Sequence, residues 1–191
     1  RESLGLLIEE QRTNLLTYSE QFDNAAWLKG SSSITANTIV SPDGTLNANK
    51  IVGAVGIGLV RTYQSVAKAA SIVTYASTIY AKASEWGFLH YQMDDGTASN
   101  RVTGYFDLSN GTASSVSVNG TFSGTASISF VGNGWYRCTV VFTTNTTTTT
   151  RINYFASNTT SETATGNGFS GIYIWGAQLE AGAFATSYIP T

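Results

Sequence analysis

Along most of the chain apolar and polar positions alternate, and Gly, Asn and Asp interrupt the alternation at short intervals. A period of two sends successive side chains to opposite faces of a strand. The first clear strands are "LVRTYQSV" (59–66) and "SIVTYASTIYAKA" (71–83). "EWGFLHYQM" (85–93) then runs through an Asp-Asp-Gly turn towards "RVTGYFDL" (101–108), which predicts neighbouring antiparallel strands. "ASSVSV", "ASISFV", "WYRCTVVFT", "TRINYFAS" and "GIYIWGAQL" follow. Strands recurring every 8–15 residues or roughly so predict an all-β fold, a two-sheet antiparallel β-sandwich of the jelly-roll type. At most one short helix is expected, at 19–27 with Ser19 as its cap. "TTNTTTTT" (143–150) reads as a strand end or exposed loop. Residues 1–13 read as a lead-in segment and 14–191 as a single β-sandwich domain.

Parity also assigns faces. Cys138, Val140 and Phe142 form one apolar set, leaving Trp135, Arg137 and Thr139 opposite. Phe106 and Leu108 are expected in the core, with Arg101, Thr103 and Tyr105 on the other side. Leu89, Tyr91 and Met93 form a third apolar set, against Trp86, Phe88, His90 and Gln92. Ile152, Tyr154 and Ala156 point inward, leaving Arg151, Asn153 and Phe155. Several strands therefore carry a second face of aromatics, Arg, His, Asn and Gln, where Lys and Glu would normally stand. Sugars present flat C–H faces edged with hydroxyls, so rings flanked by hydrogen-bonding side chains suit them. Trp86, His90, Gln92, Arg101, Tyr105, Arg151 and Asn153 are the candidate carbohydrate-binding residues, provided they share one sheet face. In the competing reading Trp86 and Tyr105 only fill a small cluster under a loop, since large aromatics are mostly buried in sandwiches.

Composition sharpens this picture. Only 12% of residues are charged, and ten Tyr and four Trp accompany an abundance of Thr, Ser, Asn and Gly. That mixture favours strands and turns over helices. The net charge of −2 without a basic block argues against nucleic acid as a partner. No apolar run is long enough for membrane insertion as a helix. The absence of an initiating Met and of a leader suggests a segment of a longer polypeptide, and the single Cys138 allows no internal disulfide. Catalytic signatures are missing: the one histidine is His90, and no nucleophile elbow, zinc motif or phosphate loop occurs. The acids are scattered, with Asp94-Asp95 standing before Gly96 as a turn requires. A chain that is not an enzyme, with no catalytic residue and no required cofactor, is the expectation.

Two sets of motifs carry a resemblance. "GLLIEEQRTNLLTYSEQFDNAAW" (5–27), "SPDGTLNANKI" (41–51), "GNGWYRCTV" (132–140) and "GIYIWGAQLEAGAFATSYIPT" (171–191) resemble a domain of tailed-phage and prophage tail-fibre or minor structural proteins. More distantly, Asn14-Leu15-Leu16, Phe22-Asp23 with Trp27, the strand 135–142 and the closing Leu179-Glu180 are similar to jelly-roll carbohydrate-binding modules of bacterial glycanases. That second resemblance implies a sandwich without catalysis, a glycan groove on one sheet and a structural calcium ion. Asp23 is the candidate calcium ligand, but Trp175-Gly176 stand where that family carries consecutive acids. The function expected is a carbohydrate-binding module of a phage-like protein, on the virion tail or extracellular. Its partner would be a polysaccharide or cell-surface glycan, and an oligomer is open to the full-length protein. An acidic glycan would engage Arg101, Arg137 and Arg151. The rival readings are a structural or assembly domain of a tail fibre, and a glycan lyase or hydrolase using His90 or Tyr105 beside an Arg.

Overall fold

A computed structural model describes residues 9–97 and 99–191, so most of the expected lead-in 1–13 lies outside the described residues. In chain order the early strands are β1 (Leu28–Gly30), β2 (Ser32–Ile39), β3 (Ala48–Gly53), β4 (Gly56–Gly58) and β5 (Arg61–Ala67). The central ones are β6 (Thr74–Ala83), β7 (Phe88–Asp94), β8 (Arg101–Asp107), β9 (Thr112–Ala113) and β10 (Ser117–Asn119). The last are β11 (Ser123–Gly132), β12 (Trp135–Thr143), β13 (Thr149–Ser157), β14 (Ala164–Gly166) and β15 (Gly171–Ala181).

They build two main antiparallel sheets. Sheet A runs β1-β5-β13-β7-β8-β10, with β9 also on β8, and sheet B runs β11-β12-β6-β15-β3-β2. A small β14–β4 pair sits apart from both. The all-β antiparallel sandwich expected from the alternation is the fold observed. No helix forms at 19–27: successive turns close from Gln21 to Tyr18, Asn24 to Gln21 and Trp27 to Asn24. Ser19 caps nothing there, because its hydroxyl bonds the Tyr188 hydroxyl at 2.6 Å and accepts the Thr191 amide at 2.9 Å.

The core lies between the sheets. Leu89, Tyr91 and Met93 of β7, Phe106 of β8, Ile152, Tyr154 and Ala156 of β13, and Cys138, Val140 and Phe142 of β12 all enter it. The face assignments for these strands therefore hold, and each large apolar side chain adds about 1.5–3 kcal/mol by leaving water. One polar bridge crosses the core: Tyr91 bonds Ser77 on the opposite sheet, and the Ser77 hydroxyl donates to the Gln178 carbonyl.

Alternation alone misleads in β15. The register shifts between Trp175 and Gln178, where Gly176 takes a positive φ of 62°. A bulge inserts one residue and reverses parity beyond it. Leu179 thus turns into the core, while Gln178 and Glu180 face the chain's own C-terminal tail. The buried Glu180 carboxylate accepts Gln178 Nε2 at 2.7 Å and the Thr186 amide at 3.1 Å. Asn14 ties the start of the domain to the same place, donating to the Ala177 and Ile189 carbonyls and accepting the Leu16 and Leu179 amides. Tyr188 then packs on Trp175, ring centroids 4.6 Å apart. The closing block 171–191 and the Asn14 motif are thus one latch, and the sequence features behind the resemblance serve packing.

Candidate functional site

The outer face of sheet A carries the expected residues other than Trp86 in three cross-strand rows. Arg151, Asp94 and Arg101 form one row across β13, β7 and β8. Asn153, Gln92 and Thr103 form the next, with Tyr63 of β5 beside Asn153. Phe155, His90 and Tyr105 form the third, beside Arg61. The two ends of this face differ in what they leave free.

At one end a buried carboxylate takes the donors. Asp94 is fully buried and accepts Arg151 Nη2 at 3.0 Å, Asn153 Nδ2 at 2.9 Å, Gln92 Nε2 at 3.0 Å and the Gly96 amide at 2.7 Å. Arg61 Nη1 in turn donates to Asn153 Oδ1 at 3.0 Å. A charge removed from water needs such partners, and these side chains supply them. Gln92 and Asn153 are themselves buried, so both are braces of the sheet and do not present the exposed hydrogen-bonding groups expected of them. Arg151 is likewise engaged, although part of its side chain reaches solvent.

At the other end lies a cleft of about 410 Å³, walled by Phe88, His90, Tyr105, Asp107, Ser114 and Thr160. Tyr105 meets His90 edge to face at 4.8 Å. His90 Nε2 lies 3.3 Å from the Thr159 carbonyl, which fixes the neutral tautomer with its proton there. Its Nδ1 is buried and has no hydrogen-bond partner. Burial pushes the His90 pKa down, and the contact with Thr159 opposes this only in part. For Asp107 desolvation pushes upward, but hydrogen bonds from the Asn110 side chain and the Asn110 and Ser109 amides outweigh it and hold the carboxyl below its usual range. The cleft thus offers several aromatic rings, a carboxylate and hydroxyls. These groups can stack on a sugar and hydrogen-bond its rim, and imidazole, phenol and carboxylate are also groups that move protons.

Trp86 is the expectation that fails outright in placement. It precedes β7, is buried in the core, and covers Gly53 so closely that a Cβ there would collide with its ring. Strand parity does not extend to it, because β7 begins only at Phe88. Arg101 is half-buried, makes no hydrogen bond or ion pair among the described residues, and stands four residues along β8 from Tyr105, about 13 Å at strand rise. Arg137 lies on the outer face of sheet B and donates to the Thr186 carbonyl at 2.5 Å. Asp94, which gathers the buried polar groups of the sheet, and Asp107, which walls the cleft, are the two acids absent from the expected set. Asp107 stood in the polar parity of "RVTGYFDL", while Asp94 was hidden by its turn-like neighbours.

The calcium implied by resemblance can be tested on the side chains around Asp23. A cleft of about 370 Å³ is lined by Glu20, Asp23, Asn37, Asn47 and Asn49. The side-chain oxygens of Asn47 and Asn49 are buried there with no hydrogen-bond donor. Glu20 accepts Asn47 Nδ2 at 2.9 Å and the Tyr188 hydroxyl at 3.1 Å. Among the described residues no group of three or more His, Cys, Asp or Glu side chains is placed to hold a metal ion, so a hard cation here would rely on Asp23 and the two amide oxygens. Trp175 and Gly176 contribute nothing to it and pack against Tyr80 and Tyr188 instead.

No protein-family model matches the chain. No curated protein matches it either. Among solved structures, the chain is similar to the enzymatically active domain of tailspike protein 4 of bacteriophage CBA120, at 15% identity and a TM-score of 0.49. The likeness covers 88% of this chain but 21% of that one, so the chain spans about a fifth of the length of the solved domain. Against the expectation of a chain that is not an enzyme stands the description of that solved domain as enzymatically active, which is said of that protein alone. That likeness is to a tailspike domain and does not bear on the similarity to carbohydrate-binding modules.

Proposed function

We propose that this β-sandwich belongs to a phage-like tail protein and binds a polysaccharide in the cleft between β7, β8 and the loop after β13. The observation that carries the reading is the His90–Tyr105 ring pair, walled by Phe88, Asp107 and hydroxyls, beside a sheet half whose other polar groups are taken up by Asp94. A sugar ring would stack on Tyr105 while its hydroxyls meet Asp107, Ser114 and Thr160. Single-site affinity is modest for so small a contact, and repetition along a fibre raises it through effective concentration. The test is affinity electrophoresis through gels containing neutral polysaccharides, with release of reducing ends followed on the same polymers. Wild-type protein is retarded by one polymer class and Tyr105→Ala is not, at unchanged thermal stability. Equal retardation of the two proteins overturns the assignment.

The Asp23 cleft supports a second, smaller reading, a structural calcium ion. Calcium chloride raises the melting temperature of the chelator-treated protein, and Asp23→Asn abolishes the rise. A melting temperature indifferent to calcium removes the ion from the account.

A further inference from the structure

The outer face of sheet B carries a groove that the reading above does not use. Tyr173 on β15 stands directly between Lys50 on β3 and Lys82 on β6, with Thr35 of β2 beyond Lys50. Two adjoining cavities of about 400 and 420 Å³ share Tyr173 as a wall. Hydroxyls of Ser33, Thr35 and Thr38 line the first, and Lys82 and Trp135 line the second. Tyr173 is half-buried, so its ring is in place before any ligand arrives.

The two lysines play different parts. Lys50 is buried, bonded to Glu85 at 2.7 Å, and its ammonium lies 4.5 Å from the Phe169 ring centre and 5.7 Å from that of Tyr173. Glu85 also accepts the Ser84 hydroxyl and the Gly171 amide, so that end of the groove is electrically closed. Lys82 makes no ion pair among the described residues, and its ammonium donates to the Asn133 carbonyl at 2.6 Å. An ammonium has three protons to give, which leaves two directions open. Gly134 allows its aliphatic stem to lie close over the turn, since a Cβ there would stand 3.2 Å from Lys82 Cε. The cation and the Tyr173 ring thus line the same cavity.

We propose that this groove is a second glycan site, and that its ligand is a carboxylated sugar polymer, a polyuronate. The uronate carboxylate pairs with Lys82, the sugar ring lies against Tyr173, and the next residue's hydroxyls meet Ser33, Thr35 and Thr38. Of the three arginines expected to serve an acidic glycan, Arg137 and Arg151 are engaged by Thr186 and Asp94, and Arg101, whose side chain has no partner among the described residues, lies on the other sheet. Long-range charge does not help either, because the chain carries a net −2. Retention by a polyanion must therefore come from a local cation.

The test is affinity electrophoresis in gels containing polygalacturonate, with mobility normalised to polymer-free gels. Wild-type protein is retarded, Lys82→Gln weakens the association about tenfold, as expected for losing one hydrogen-bonded charge, and Lys82→Arg keeps it. Tyr173→Ala weakens it too, and added salt weakens the wild type. Tyr105→Ala is retarded like wild type, which separates this site from the sheet A cleft. The proposal is overturned if polygalacturonate fails to retard the wild type, or if Lys82→Gln is retarded equally. It is also overturned if Tyr105→Ala alone releases the polymer, since the polyuronate then sits in the other cleft.

Discussion

The two ends of the sheet A outer face share strands, register and side-chain parity, yet they do opposite work. At the Asp94 end a fully buried carboxylate gathers Arg151, Asn153 and Gln92, and the polar groups that looked like ligands for a sugar are ligands for Asp94. At the Tyr105 end there is no buried carboxylate to serve, so the rings of His90 and Tyr105 and the Asp107 carboxylate line an open cleft. Polar residues on a sheet's outer face are therefore not a site by virtue of position. Whether each one is available depends on which internal group claims its hydrogen bonds. Sheet B repeats the lesson, with Lys50 claimed by Glu85 and Lys82 bonded to a single backbone carbonyl.

The comparison breaks most visibly through stability. Asp94→Asn leaves the Arg151 guanidinium without its charge partner, a loss of about 3–5 kcal/mol for a buried pair broken on one side. Trp86→Ala empties a large core volume and costs about 3–5 kcal/mol as well. Tyr105→Ala, on the half-buried wall of the cleft, leaves stability within about 1 kcal/mol of wild type. Denaturant unfolding of the three variants checks the order. Near-wild-type stability of Asp94→Asn, together with lost glycan binding, would mean that the closed end is the working one.

How much of this was open to inspection in the amino-acid sequence depends on the region. From β5 onward the alternation located the long strands, though it missed β14 and read β9 and β10 as one, and it assigned Leu89, Tyr91, Met93, Ile152 and Tyr154 to the core. Upstream, "SSITANTI" of β2 is built from small polar residues, and its pairing is interrupted between Thr35 and Ile39, so no clean period appears. Trp86 was misplaced because parity was carried across Gly87, beyond the start of β7. The latch escaped for a different reason: the bulge at Gly176 reverses parity, and the partners of Gln178 and Glu180 lie in the tail and at Asn14. Asp94 was the costliest omission. In sequence it belongs to an Asp-Asp-Gly turn, and Gly96 does close onto it, but its role is set by strands β7 and β13 meeting in register. Cross-strand register is a tertiary property, and alternation within one strand carries no record of it.

The smallest expected effect concerns His90, and it tests whether the open end is as dry at the imidazole as the geometry requires. His90 is the only histidine, and among the acids with resolved shifts Asp43, Glu85, Asp95 and Asp107 are all held low. The interval from pH 7 down to 5 therefore reports chiefly on this ring. Its folded pKa lies below the ordinary histidine value of 6.5, so between the two values the unfolded chain binds more protons than the folded one. Stability accordingly rises with pH through that interval and levels off above it, with a slope of at most about 1.4 kcal/mol per pH unit for one proton. Unfolding curves at pH 7, 6 and 5 should show wild-type protein losing stability on acidification, and His90→Asn losing less. A polymer seated over His90 and Tyr105 would shield the ring further and steepen the loss of binding below neutrality. Parallel pH profiles for the two proteins would show instead that the imidazole is open to water, and the contrast between a sealed and an open half of the face would have to be redrawn around Asp107.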